Sequence, residues 1–421
     1  MSRYIMIRRP KVVITGMGVL AANGIGVPAF WDSLLAGRSG IGPITLFDAS
    51  HHFLRIAGEV KGFNLTDYVN GQFKSKRLAR HTQFAVVATR MALDDAGLDK
   101  EALLKSGPVP INLGVSTSAI DLIEGGMDRL VNHGPEKVSP FVVTYGLPHA
   151  ITYTITDYLG INAEGRTISS ACQSGAEGIA MAWDSIVSGK AEVCIAGGAD
   201  APITPLTVAA FCSGGLRPDA YDENAPEKSS RPFDLNRKGG VLAEGAAVLV
   251  LESLEHAIAR GAKIYAELVG FGNAMDAAGE KPGAGLRVSM ASALANAGYM
   301  PENIQYINAH GPSEPEMDVV ETVAIRRIFG RHADRIPVSS IKAVTGNPLA
   351  AQGPMQMIAT AMGLKHGIIP PTANLEYPDP QCDLDYVPLT SRRVKIKNAL
   401  VNVHGLGGGN ISAVMGAIEP S

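Results

Sequence analysis

The sequence predicts an α/β protein whose largely parallel sheets are buried on both faces. Three observations predict it. Short apolar runs at 111–115, 192–197 and 246–251 have strand length and lack the polar alternation of a half-exposed strand. Segments with helical apolar spacing, such as Ala176 to Val187 and Leu254 to Arg260, lie between them. The chain has 421 residues, 46% of them apolar and 18% charged, enough to bury a large core across two or three domain-sized units.

Taken in order, the run after Lys11 ends in Gly16-Met17-Gly18 and reads as a buried strand entering a tight turn, with a helix from Phe84 to Ala96 beyond it. Gly16-x-Gly18 begins a dinucleotide fingerprint, but Ala21 stands at the third glycine and no acidic residue at the end of a second strand completes the unit. No nucleotide site is expected. The chain divides near residue 260: residues 1–260 hold one strand–helix series, and residues 261–421 hold a second, from Tyr265–Phe271 to the glycine-rich turn Gly405–Asn410. Two similar halves are expected, although their sequences are not visibly alike.

The 47 glycines fall singly or in short clusters, as turns and close backbone approaches do, and form no repeat. Lys and Arg total 37 against 40 Asp and Glu, a net charge of −3 without a block of one sign, so nucleic acid is not an expected partner. MSRYIMIRRP is basic but too poor in apolar length for a signal sequence, and no later stretch is apolar enough to span a membrane. The expectation is a cytoplasmic protein. Cys172, Cys194, Cys212 and Cys382 form no C-x-x-C pair, which argues against a zinc knuckle or a disulfide framework, and no metal or cofactor is expected.

The sharpest local feature is Arg166-Thr-Ile-Ser-Ser-Ala-Cys172-Gln-Ser-Gly175, a β-branched run feeding an Ala/Met-rich helix. A cysteine at that strand-to-helix turn faces the helix's positive end and its unpaired amides, which favour a thiolate. Taken alone it reads either as an activated nucleophile or as a small buried hydrophobe. A second site follows the strand Ile304 to Ala309: His310-Gly311, then a helix carrying Asp318 and Glu321 on one face. A third is Lys342, followed by Thr345-Gly346-Asn347 and a helix from about Leu349. Polar residues at strand ends are the usual ligand groups of α/β sheets, yet each has a structural reading too.

Nearly the whole chain resembles the beta-ketoacyl-acyl-carrier-protein synthases, closest to the synthase II branch. The matching blocks include Thr15-Gly-Met-Gly18, Ser170-Ala-Cys-Gln-Ser-Gly175, Arg231-Pro-Phe-Asp234 with Arg237, Asn308-Ala-His-Gly311, Lys342, Gly367-Ile-Ile-Pro-Pro-Thr372 and Asn402 through Asn410. The resemblance implies the thiolase fold, two βαβαβαββ halves in a five-layer αβαβα arrangement, working as a homodimer or as a heterodimer with another ketosynthase. It implies transfer of an acyl group from a phosphopantetheine thioester, on acyl carrier protein or coenzyme A, and its condensation with a malonyl unit as carbon dioxide leaves. On that resemblance Cys172 is the acylated nucleophile and His310 faces the thioester oxygen. Lys342 and Glu321 are the charged pair beneath, and the amides of Cys172 and Leu406 form the oxyanion hole. Lys74, Lys76, Arg77 and Arg80 correspond to the basic segment that receives the carrier.

Three departures stand out. The second histidine of the family is Asn347, which keeps an N–H donor but cannot titrate, giving a Cys172-His310-Asn347 triad. His-Gly-Thr-x-Thr becomes His310-Gly311-Pro312-Ser313-Glu314, losing both hydroxyls that bond the pantetheine arm and adding a negative charge. His404 and Leu406 replace two phenylalanines, one of them the gate between acylation and condensation. The expected activity is decarboxylative condensation in fatty acid or specialised lipid or polyketide synthesis. The alternatives are a ketosynthase-like partner subunit and an acyl transferase or thioester hydrolase.

Overall fold

The structure, a computed structural model, describes residues 9–69, 73–214 and 221–418. Its first half runs β1 (Val12–Ala21), α1 (Arg80–Ala96), β2 (Pro110–Gly114), β3 (Glu164–Ile168), α2 (Ser174–Val187), β4 (Val193–Asp200) and β5 (Gly245–Ser253). Short helices between β2 and β3, Ile120–His133 and Ala150–Leu159 among them, complete a βαβαβαββ series. The second half repeats it: β6 (Ala266–Met275), α3 (Leu286–Ala297), β7 (Tyr306–Asn308), α4 (Pro315–Phe329), β8 (Val338–Ser339), α5 (Gln352–His366), β9 (Asn398–Gly405) and β10 (Gly409–Gly416).

The strands lie in the order β8-β7-β9-β10-β6-β1-β5-β4-β2-β3. Counted within its own half, each set has the same order, third-second-fourth-fifth-first, which reveals the repeat that side-chain identity hides. Parallel pairs join β3, β2 and β4, and likewise β8, β7 and β9; only β5 and β10 run against their half. The halves meet at an antiparallel seam, Val12↔Leu268, Val13↔Glu267 and Ile14↔Ala266.

Side-chain alternation along the strands builds the layers. In β5, Ala247, Leu249 and Leu251 face α2 and α5 in a central core, while Val248 and Val250 face α1. In β9, Val401 and Val403 face that same central core and Leu400 faces α3 and α4. Burying each such Val or Leu contributes roughly 1.5–3 kcal/mol relative to exposure, and a one-residue slip would turn the whole set around. The result is the five-layer αβαβα thiolase fold: α1, sheet, α2 with α5, sheet, α3 with α4.

One expectation is corrected. The chain does not turn at Gly16 and Gly18; β1 continues through both, with a bulge between Ile14 and Gly16. These glycines admit α1, because an ideal Cβ would lie 2.1 Å from the Ala92 carbonyl oxygen at Gly16 and 1.9 Å from that of Ala88 at Gly18. Helix and strand touch backbone to backbone there, a contact that only glycine allows.

Candidate active site

Cys172 sits between β3 and α2 and is 7% exposed. Ala171 before it holds φ +62°, a left-handed conformation that costs a non-glycine residue energy and recurs where a side chain must be presented at a sharp turn. The Leu406 N–H and the Ser116 side chain face the sulfur and favour its thiolate. Burial nevertheless dominates and pushes the thiol up to about 11, so the helix end alone does not make Cys172 a thiolate. Cys194, within β4, and Cys382 are pushed to about 12, also by burial.

His310 follows β7 and is held from three directions. Glu321, fully buried on α4, accepts the His310 N–H at 2.9 Å and the Gly311 N–H at 2.8 Å, and the Asn402 amide donates to it at 3.0 Å. The Lys342 ammonium donates to the His310 carbonyl oxygen and lies 3.4 Å from Nδ1, while the His404 N–H donates to Nδ1 at 3.2 Å. Nδ1 is thus the acceptor, and the proton of the neutral ring resides on Nε2. Burial, with Lys342 and His404 beside it, keeps this imidazole well below its ordinary range. Lys342 is itself drawn down to about 8 by burial, against the pull of Glu321. Glu321 and Lys342 grip the His310 backbone from its two ends, one accepting the N–H and the other donating to the carbonyl, and no direct ion pair links them among the described residues. Asp318 is turned away, accepting the Phe233 N–H at 2.8 Å and lying 3.3 Å from Arg237, so the Arg231–Arg237 block braces this loop from outside.

Asn347 is fixed by its backbone, which donates to the Val241 carbonyl at 2.8 Å and accepts from the Ala243 N–H at 3.0 Å. Its side-chain Oδ1 is buried with no hydrogen-bond partner, and a buried amide left unpaired is costly unless a ligand completes it. Cys172, His310, Asn347, Glu314, His404 and Leu406 line one cavity of about 400 Å³. Of the residues singled out from the sequence, Cys172, His310, Asn347 and Leu406 line this cavity, and Lys342 and Glu321 lie against the His310 backbone behind it.

Of the departures, Glu314 extends into this cavity; its carboxylate has no hydrogen bond or ion pair among the described residues, and burial raises its pKa. Asp276 and Glu280 also line the cavity, and among the described residues no Lys or Arg does. Leu406 is 56% exposed at the rim. His404 is partly buried, its ring edge-on to His310 with centroids 5.6 Å apart, and its Nδ1 lies 3.0 Å from Asn410 Oδ1. Asn410 donates in turn to Asp276 at 2.7 Å. Gln352 joins the two walls, donating to the Cys172 carbonyl at 3.2 Å and the His404 carbonyl at 3.0 Å. Sequence reasoning missed Asp276 and Gln352, which no local motif marks.

The basic segment is only partly as expected. Lys74, Lys76 and Arg77 are exposed, with the Arg77 guanidinium 4.4 Å from the Phe141 ring. Arg80 is not part of an open patch: its guanidinium donates twice to the buried Glu244, at 2.8 and 2.6 Å, and to the Val60 carbonyl at 3.3 Å. A buried carboxylate needs such a partner. No helix among the described residues is long and apolar enough to cross a membrane.

Comparison with known proteins gives the same picture. Residues 9–257 match the beta-ketoacyl synthase N-terminal domain and residues 265–376 the beta-ketoacyl synthase C-terminal domain. The chain is 39% identical over 410 residues to 3-oxoacyl-[acyl-carrier-protein] synthase 2 of Synechocystis sp., covering 96% of this chain and 98% of that protein. It is 39% identical over 417 residues to the tetracenomycin polyketide synthase ketoacyl synthase alpha subunit of Streptomyces glaucescens, covering 96% of each. Among solved structures, the ishigamide ketosynthase/chain length factor superposes with TM-score 0.91 at 32% identity, covering 98% of this chain and all of that one. A type II polyketide ketosynthase solved in complex with its acyl carrier protein superposes with TM-score 0.89 at 30% identity, covering 98% of this chain and all of that one.

Proposed function

The chain belongs to the beta-ketoacyl synthase family, and from that premise we propose that it is an acyltransferase that condenses a Cys172-bound acyl group with a malonyl thioester in fatty acid or polyketide synthesis. The observation that carries this reading is the single cavity shared by Cys172, Leu406, the His310 ring and the Asn347 side chain, which makes no hydrogen bond among the described residues. Acylation joins the Cys172 sulfur to the thioester carbonyl carbon, and the amides of Cys172 and Leu406 hold the tetrahedral oxyanion until the pantetheine thiol departs. In condensation the malonyl carboxylate leaves as carbon dioxide, and His310 Nε2–H and the Asn347 amide hold the enolate oxygen. The enolate carbon then attacks the acyl-Cys172 carbonyl and the cysteine is released. Glu321 holds the His310 backbone, and the His404 N–H with Lys342, both facing Nδ1, hold the ring in the tautomer that this step needs.

The donor is the phosphopantetheine thioester of an acyl carrier protein, docking at Lys74, Lys76 and Arg77, the three exposed cations of the segment. The active unit is a dimer: among the described residues β3 is a sheet edge without a partner strand on its outer side, and Met127, Leu130 and Val131 expose apolar surface on the helix Ile120–His133. Intact mass measured with acyl thioesters and then malonyl thioester tests the reading. An acyl adduct on Cys172 that leaves as a chain-extended product is expected. An adduct that leaves only as free acid, or passes unextended to a second thiol, favours the second reading, acyl transfer or hydrolysis without condensation. Glu314 is the observation on that side, since a carboxylate that makes no ion pair among the described residues, in a cavity also lined by Asp276 and Glu280, disfavours a malonyl carboxylate.

A further inference from the structure

His404 stands in the substrate cavity with its tautomer determined by its neighbours. Asn410 donates through its amide nitrogen to the Asp276 carboxylate, an acceptor-only group, at 2.7 Å, and to the Gly408 carbonyl at 2.8 Å. The amide oxygen of Asn410 is therefore what faces His404 Nδ1 at 3.0 Å, and Nδ1 must be the donor. The other ring nitrogen, Nε2, then carries the lone pair, and it has no hydrogen bond among the described residues. His310, 5.6 Å away ring to ring, has the opposite tautomer, with Nδ1 accepting and Nε2–H donating. The cavity thus holds one imidazole built as a donor and one built as an acceptor.

Asp276, Asn410 and His404 form the base-and-orienter half of an acyl-transfer constellation, and Cys172, lining the same cavity, is the nucleophile. We propose that His404 is a second catalytic histidine: its Nε2 takes the thiol proton of Cys172 as the sulfur attacks the thioester, and returns it to the departing pantetheine thiol. This inference rests on the condensing-enzyme reading, whose acylation step it serves. The step balances: the S–H bond of Cys172 breaks and an N–H bond forms, the new C–S bond replaces the old one, and the proton leaves on the released thiol. Such a base has work to do, because burial leaves Cys172 protonated at neutral pH. His404 is able to act as one, because burial first, with Lys342 nearby, lowers its pKa against the opposing pull of Asn410 and Asp276. The charged and titratable groups around it are Asp276 behind, Lys342 and His310 beneath, and Glu280 and Glu314 across the cavity.

The test is the pH dependence of Cys172 acylation, followed by intact mass in single turnover. His404→Phe keeps the backbone N–H that orients His310 and removes both ring nitrogens, the Nδ1 that bonds Asn410 as well as Nε2. Its acylation should fall by at least about 100-fold at pH 7 and recover about tenfold per pH unit toward pH 9 as the thiol ionises unaided, while the parent rate stays level above pH 7. His404→Ala supplied with free imidazole should regain acylation. A deficit that is the same at every pH, no deficit at pH 7, or no response of His404→Ala to imidazole overturns the proposal and leaves the condensing reading standing. A parent that is never acylated by any thioester sinks both.

Discussion

The two halves use the same device to present different chemistry. In the first, the buried carboxylate of Asp200 gathers the loop after β2, accepting the Ser116 N–H at 3.1 and 3.0 Å, the Thr117 N–H at 2.8 Å and, across the interface, the Ala350 N–H at 2.9 Å. In the second, the buried carboxylate of Glu321 gathers the loop after β7 through the His310 and Gly311 N–H groups. The loop held by Asp200 carries serine and threonine and frames a nucleophile supplied by the next strand end. The loop held by Glu321 carries the histidine itself, with Lys342 and Asn347 at the next strand end. On the proposed reading the first half supplies the nucleophile and the second the groups that face it, which teaches that the repeat shares an anchoring geometry and leaves the anchored group free to differ.

The largest expected effect removes the attacking half altogether. Cys172→Ala should accept no acyl group from any thioester, and peptide mapping should find Cys194, Cys212 and Cys382 unmodified; an adduct on any of them would break the assignment. Next comes the stabilising half. Asn347→Ala should still be acylated on Cys172 but lose malonyl decarboxylation by roughly two to three orders of magnitude, the cost of deleting one oxyanion donor, and Asn347→His should retain part of it. Decarboxylation at the parental rate in Asn347→Ala would remove that residue from the site.

The anchors sharpen the comparison further. Glu321→Gln should slow condensation up to about 100-fold by loosening His310 while sparing acylation, and Asp200→Asn should do the reverse. Single-turnover assays of each step decide it; equal losses in both steps from either variant would show that the halves do not divide the work.

The smallest effect is on stability. Each half buries a neutral imidazole, His81 on α1 and His310, and burial depresses His81 to about 3. A histidine depressed in the folded state leaves stability intact above its unfolded pKa near 6.5 and removes it as pH falls from there toward 3. His81→Gln should lessen the acid slope by about 1.4 kcal/mol per pH unit, measured by urea unfolding between pH 6 and 4. An unchanged slope would mean that His81 is not buried and neutral as described.

Much of this site was readable before the structure because its members stand at strand ends beside recognisable blocks: Cys172 before α2, His310 after β7, and Lys342 with Asn347 after β8. The strands were readable from buried apolar runs, and the repeat was not, because it lies in strand order. What stayed hidden depends on distant partners. The orienter of His404 is completed by Asp276, 134 residues before Asn410. Arg80 reads as a surface cation until Glu244, 164 residues away, is found beneath it. The net protonation of Cys172 also escapes sequence, since the helix end is local and burial is not.

The missing methyl groups at Gly16 and Gly18 have a consequence for engineering. They act as a feeler gauge that sets the gap between α1 and β1, and α1 begins at Arg80, which clasps Glu244. The Glu244 N–H bonds the Gly58 carbonyl, and the adjoining Ala243 N–H bonds the Asn347 carbonyl. Widening the gap by one alanine would shift Arg80 and strain this line of bonds toward Asn347 in the cavity wall. A library that treats Gly16 and Gly18 as surface turn positions would therefore select against its own catalysts, and one that holds them constant while varying the cavity rim would keep the active centre in calibration.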